Sequence, residues 1–311
     1  MFPRLVLLTL GMIFLCPLRG LIAAELKHGH ADSNGIKIHY VTAGDGPLVI
    51  LLHGFPDFWY SWRHQIPVLA KQHRVVAVDL RGYNRSDQPE GVANYAIDKL
   101  VGDVAAVISH FRAKGATVVG HDWGGFIAWS FAMKHPELTE RLVVLNLPHP
   151  HGLQRELSRN PQQRKNSQYA RNFQLVGAEK LLTPEGLAGW VKDAEARKKY
   201  VAAFRRSSFA AMLSYYKANY PRPPYPAPTA GPRAVQCPVL MFHGLKDRYL
   251  LSGGLDGTWH WINNELTLIT IPTASHFVHH DARELVTRRM AAWLTITKAH
   301  SPGAADRPNG R

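Results

Sequence analysis

The chain reads as an α/β protein, a mostly parallel central sheet flanked by helices and interrupted late by a helical insertion. Three observations predict this. Short β-rich apolar runs recur along the sequence and alternate with stretches of helical spacing, the pattern of a sheet covered on both faces. Hydrophobic content of 46% and charged content of 19% are those of a globular protein, which argues against disorder, collagen and a multi-span membrane protein. A length of 311 residues sits at the upper edge of a single domain, so one core with a sizeable insertion is expected.

The N-terminus has the form of a targeting segment. Arg4 precedes an apolar run from Leu5 to Cys16, followed by Pro17, a small-residue exit at Ala23 and Ala24, and a polar sequence from Glu25. This is the layout of a secretory signal peptide, so an exported, periplasmic or secreted protein is expected. The apolar run is short for a bilayer span, which takes roughly 20 residues. The exit is not a clean A-x-A, and an uncleaved anchor that ties the protein to a membrane is the alternative. Cysteine usage adds little. Only Cys16 and Cys237 occur, with no zinc-site spacing and no disulfide framework.

The elements then follow in order. Ile36 to Val41 and Leu48 to Leu52 read as strands, and Val75 to Asp79 as another that ends in a loop with Gly82 and Asn84. Tyr95 to Phe111 has helical spacing. Thr117 to Gly120 is a short buried strand, and Gly124 to Met133 the helix that follows it directly. Leu142 to Asn146, Val239 to His243 and Thr267 to Ile271 read as three more buried strands, and Ala282 to Leu294 as a closing amphipathic helix. Between Pro148 and Arg233 the rhythm breaks: Ala194 to Tyr216 is helical and Pro221 to Pro232 is a Pro-rich connector. This stretch is expected to be a helical cap inserted after the sixth strand. The implied division is a leader at 1–24, a core at 25–147 and 234–297, a cap at 148–233 and a disordered tail at 298–311.

The chemistry sits at strand ends. Val118-Val119-Gly120-His121-Asp122-Trp123-Gly124-Gly125 runs from a strand into a helix through a turn flanked by glycines. That is the form of a nucleophile elbow, in which small neighbours let a strained turn hold the central side chain out at the sheet edge. The central residue is Asp122, for which a plain helix N-cap is the competing reading. A carboxylate there is already ionised near neutral pH and can displace a leaving group at a saturated carbon, leaving an ester on the enzyme. Hydrolysing that ester needs a base, a group that orients it and an oxyanion hole.

Candidates for all three follow in the expected chain order. His276, just after the last strand, is the candidate base, and Asp247, after the seventh, would hold its tautomer and stabilise the imidazolium. Of the 17 histidines, His149, His151, His279 and His280 are expected to be solvated or satisfied in the core. His53-Gly54-Phe55-Pro56 follows the third strand, where the backbone N–H of Phe55 can join that of Trp123 in an oxyanion hole. His53, Pro56 and Trp59 are expected to line the substrate pocket, and Trp59, Trp62, Trp123 and the cap aromatics suggest that it is apolar.

The elbow His121-Asp122-Trp123-Gly124-Gly125, the run from His53 to Arg63 and the stretch from Asp79 to Asp87 together resemble the α/β-hydrolase-fold epoxide hydrolases, over about Ile36 to Leu294. The resemblance implies hydrolysis of a small apolar epoxide to a vicinal diol, with no metal and no organic cofactor. It also implies two cap tyrosines that hydrogen-bond the epoxide oxygen. Tyr216 matches the second, with Tyr215 beside it leaving the register open by one, and Tyr169 is the candidate for the first. A phenol with a pKa near 10 can donate to an alkoxide as charge builds.

Two rival readings use the same residues. A haloalkane dehalogenase also has an Asp nucleophile followed by Trp, but generally a second halide donor, often Asn, where this chain has Phe55. A catalytically silent hydrolase acting as a binding module usually loses a member of the triad, whereas all three candidates are present here.

The charge is the remaining anomaly. With 37 Lys and Arg against 23 Asp and Glu the net is +14, and loss of Arg4 and Arg19 with the leader would leave about +12. Between residues 151 and 220 there are 13 Lys and Arg against five Asp and Glu, so the excess lies largely on the cap. No nucleic-acid motif accompanies it, and no nucleic-acid partner is expected. The excess reads as a basic solvated face, one that favours anionic surfaces or fatty-acid-like substrates. Oligomeric state is not legible in the sequence.

Overall fold

In the computed structural model, which describes residues 25–228 and 231–296, eight strands form one sheet. The expected leader and tail lie outside the described residues. The strands are β1 (Lys27–Ser33), β2 (Ile36–Ala43), β3 (Leu48–Leu52), β4 (Arg74–Val78), β5 (Ala116–His121), β6 (Thr139–Leu145), β7 (Val239–Gly244) and β8 (Leu266–Ile271), in the order β1-β2-β4-β3-β5-β6-β7-β8. β2 is antiparallel to β1 and β4, and the pairings from β4 through β8 are all parallel.

The central strands are continuous apolar runs because both faces of the sheet are covered. Leu48, Ile50 and Leu52 of β3 enter one hydrophobic cluster and Val49 and Leu51 the other. β4 divides in the same way, with Val76 and Val78 against Val75 and Ala77. The helix Ile97–His110 covers one face with Leu100, Val101, Val104, Val107 and Ile108, at helical spacing. The closing helix Arg283–Ile296 covers the other with Val286, Met290, Trp293 and Leu294.

Several expectations need correction. β1 is unforeseen: its sequence is polar and mostly exposed, so neither alternation nor an apolar run marks it. The signal that could have found it is Asn34-Gly35, which joins β1 to β2 as a two-residue hairpin with both residues at positive φ. β1 makes the strand ending at Leu145 the sixth. β8 is not buried as expected. It is the last strand of the sheet, and only Ile271 is fully covered. The helix expected from Tyr95 begins at Ile97, after a short 3-10 turn at Val92–Tyr95 and an extended Ala96. Ala194 to Tyr216 is two helices, Ala194–Phe204 and Phe209–Asn219, because Ser208 caps the second by accepting the N–H of Ala211.

Helices dominate the segment between β6 and β7, from Pro150–Arg159 through Pro161–Asn166 and Gln168–Phe173 to the pair just named. Register brings the functional loops together. Leu52 pairs with Gly120, His121 with Leu145, Leu145 with Phe242 and Gly244 with Ile271, so β3, β5, β6, β7 and β8 end side by side. The crevice outside the carboxyl ends of parallel strands is where such sheets hold ligands.

Candidate active site

The site begins with a strained residue. Asp122 links β5 to the helix Trp123–Lys134 at φ 51° and ψ −119°, a conformation costly for a residue with a side chain. Its neighbours permit it. A Cβ on Gly120 would collide with the carbonyl oxygen of Gly124, and one on Gly124 with that of Leu52, so only glycine lets the chain double back at both points. The Asp122 side chain does not cap the helix. It turns instead toward a cavity, with Oδ1 accepting the Phe55 N–H at 2.8 Å and Oδ2 3.4 Å from His276 Nε2.

His276 is held from behind. Its Nδ1 lies 2.8 Å from Oδ2 of Asp247, which also accepts from Asn146 Nδ2 at 2.7 Å, while Oδ1 accepts the N–H groups of Tyr249 and Leu250 at 2.8 and 3.1 Å. With both oxygens of Asp247 engaged, the imidazole is held in the orientation that leaves Nε2 facing Asp122. His121 Nε2 donates to the backbone oxygen of His276 at 2.8 Å, tying the elbow to the His276 loop.

Charge follows this geometry. Burial disfavours the His276 cation, but the Asp247 charge, together with the hydrogen bonds and charge of Asp122, raises its pKa well above the ordinary value. Burial would raise Asp122, yet the hydrogen bond and charge of His276 prevail and hold it low. Asp247 is likewise buried and still held down at about 2, chiefly by the His276 charge. Both carboxylates are therefore ionised at neutral pH.

Of the expected tyrosines, Tyr169 and Tyr216 both border the cavity with Asp122. Tyr215 does not, because its hydroxyl donates to the Arg81 carbonyl at 2.8 Å in the core, so of the adjacent pair only Tyr216 borders the cavity. Gln174 joins the two tyrosine helices by donating to the carbonyls of Tyr216 and Tyr220 at 2.9 and 2.8 Å. Burial pushes both phenols well above 10, so each keeps its proton.

The pocket expectations divide. Pro56 lines the cavity. His53 does not: it is fully buried, bonded to the Gly54 carbonyl at 2.8 Å and to the Leu80 N–H at 3.0 Å, and so ties the end of β3 to the loop after β4. Trp59 also lies elsewhere, its ring against His28 of β1, and Trp62 is stacked on His279 in the core. Trp123 stands beside the site, edge-on to Tyr216 at 4.9 Å between ring centres. Residues the sequence reading missed are Asn146, His121 and Tyr249, whose ring lies between His276 and Tyr169.

Asp57, His121 and His279 present ligand atoms within 4.8 Å of one another. The Asp57 carboxylate already accepts from Phe58 N, Tyr200 Oη and Ser61 Oγ at 2.9, 2.8 and 2.6 Å. The carboxylate is thus satisfied within the protein, while Nδ1 of His121 and of His279 are buried with no hydrogen-bond partner among the described residues.

Comparison with known proteins identifies the family. Residues 47–282 match the alpha/beta hydrolase fold family. The chain is 35% identical over 285 residues to the AB hydrolase superfamily protein YfhM of Bacillus subtilis, covering 86% of this chain and 98% of that protein. It is 31% identical over 281 residues to human epoxide hydrolase 4, covering 84% and 76%. The crystal structure of a Bacillus megaterium epoxide hydrolase in complex with an inhibitor superposes with a TM-score of 0.80 at 32% identity, over 86% of this chain and all of that one.

Proposed function

This chain belongs to the α/β-hydrolase-fold epoxide hydrolases, enzymes that act on epoxides, and we propose that it adds water to its substrate in two steps through a covalent ester on Asp122. The observation that carries this reading is the division of labour on one carboxylate. Oδ1 sits on a backbone donor and Oδ2 faces an imidazole, with two protonated phenols bordering the same cavity.

In the first step Oδ2 attacks the less hindered oxirane carbon. The C–O bond breaks, its electron pair stays on oxygen, and Tyr169 and Tyr216 stabilise the alkoxide, one of them giving up its proton. In the second, water attacks the ester carbonyl and passes a proton to His276 Nε2, while the N–H groups of Phe55 and Trp123 hold the tetrahedral oxyanion on Oδ1. Collapse breaks the bond between the carbonyl carbon and the diol oxygen, which takes the proton from His276. The regenerated carboxyl returns its proton to the tyrosinate, so the sum is epoxide plus water to diol.

Esterification also readies the base. Once Asp122 is neutral, one of the two carboxylates that hold His276 in its cationic form is gone, and the imidazole shifts toward the neutral state that can accept a proton. Tyr169 and Tyr216 would hang from a cap at 148–233 that closes over the core, and residues 1–24 would direct export or anchor the chain. N-terminal sequencing of the protein recovered from the producing cells checks the leader.

The test of the reaction is His276→Gln. Incubated with styrene oxide it should accumulate an adduct on Asp122, seen as an intact-mass increase equal to one epoxide, and an unchanged mass with any reactive epoxide would falsify the two-step scheme. A haloalkane panel should release no halide.

A further inference from the structure

The space around Asp122 has two unequal arms. Asp122, Tyr169 and Tyr216 stand at their junction, because all three border both. On one side a cavity of about 320 Å³ is walled by Phe55, Phe173, Leu187, Trp190 and Phe277. On the other, Trp123, Phe126, Leu147, Leu153 and Pro221 close in on about 40 Å³.

With the oxirane oxygen toward the phenols and a ring carbon toward Asp122, the substituents on the two ring carbons project to opposite sides of the junction. One enters each arm. An apolar cavity of about 150 Å³ accommodates benzene. The wide arm therefore takes an aryl ring with atoms to spare, whereas the narrow arm is too small for one. The wide arm is also rich in aromatic rings. Trp190 and Phe277, stacked on each other at 3.8 Å with their planes 2° apart, both border it together with His276.

We propose that the substrates are terminal epoxides with one bulky apolar, preferably aromatic, substituent, and that Phe126 and Leu153 set this limit by filling the narrow arm. The inference rests on the epoxide reading above and narrows it. Epoxides inside a long chain, as in mid-chain fatty-acid epoxides, have a substituent on each carbon and are refused. Neither Phe126, half-buried on the helix after the elbow, nor Leu153, on the helix Pro150–Arg159, makes a side-chain hydrogen bond to Asp122, His276 or Asp247, and each can be trimmed without touching them.

The experiment measures diol formation from styrene oxide and from trans-stilbene oxide, which differ by a second phenyl group, with the full-length protein and with Phe126→Ala and Leu153→Ala separately. Wild type should favour styrene oxide by at least about 100-fold in kcat/KM. Each variant should narrow that gap by about tenfold through faster turnover of stilbene oxide. A wild-type preference below about tenfold overturns the size limit while leaving epoxide hydrolysis intact. So does an unchanged gap in a variant that still turns over styrene oxide, and two variants make it unnecessary that both fold. If neither epoxide yields diol, the epoxide reading itself falls and this inference falls with it.

Discussion

His276 Nε2 stands 3.4 Å from Asp122 Oδ2 while its other nitrogen is fixed at 2.8 Å on Asp247. The proposed nucleophile and the orienting Asp247 thus share one ring, that of the proposed base. Asp247→Asn keeps the shape but removes the charge that stabilises the imidazolium and lets the ring take the wrong tautomer. Its kcat should fall by about 10³–10⁴-fold, with alkylated Asp122 accumulating at steady state because deacylation suffers most. A fall in kcat without any adduct would place the loss in the first step and count against the assigned roles.

The adjacent tyrosines separate catalysis from packing. Tyr216 borders the cavity, so Tyr216→Phe should slow adduct formation by about 10²-fold when measured as a single turnover in the His276→Gln background. Tyr215→Phe should leave that rate within about threefold and lower stability by about 1 kcal/mol, since the Arg81 carbonyl loses its buried donor. Equal effects of the two on adduct formation would contradict the placement of Tyr216 over the epoxide oxygen.

Glycines at the elbow and in a helix should respond with opposite sign. Gly124→Ala drives a methyl into the Leu52 carbonyl, where only backbone movement gives relief. A loss of at least about 3 kcal/mol, or no soluble protein, is expected. Gly102, within the helix Ile97–His110, has open space at its Cβ position, and Gly102→Ala should raise stability by about 0.5–1 kcal/mol. Urea midpoints measure both.

What the sequence made legible follows from which features are local. β3, β5 and β7 are buried on both faces and so announce themselves as apolar runs, and the elbow shows because its glycines must flank Asp122 within five residues. β1 escapes because an edge strand with a polar face has no such run. His53 and Trp59 belong to a loop that does reach the site, through Phe55 and Pro56, yet which side chain turns inward depends on backbone direction that no local pattern encodes. Asn146 and His121 were out of reach for another reason. Their partners lie 101 and 155 residues away, and only the strand order places Asn146 beside Asp247 and His121 beneath His276.

His149 predicts how the fold responds to acid. It is completely buried, stacked on Trp261 at 4.6 Å, and its Nδ1 accepts the His151 N–H at the start of the helix Pro150–Arg159. Nε2 therefore carries the proton, and a second one would have to displace the hydrogen bond that caps the helix. Burial, aided by the nearby His151, drives its pKa down to about 3. Because the folded value lies below the unfolded one, the unfolded chain binds a proton that the folded chain refuses between about pH 6.5 and 3. The stability that neutral His149 provides is complete above about pH 6.5 and lost as pH falls through that window. Acidification from pH 7 to 4.5 should cost on the order of 2–3 kcal/mol at this position. His149→Asn can still accept the His151 N–H but does not titrate. It should be less stable than wild type at pH 7, where the stacking is lost, and lose less on acidification, so that the two urea midpoints converge toward pH 4.5. Parallel decline of both proteins would show that His149 is not the group that titrates.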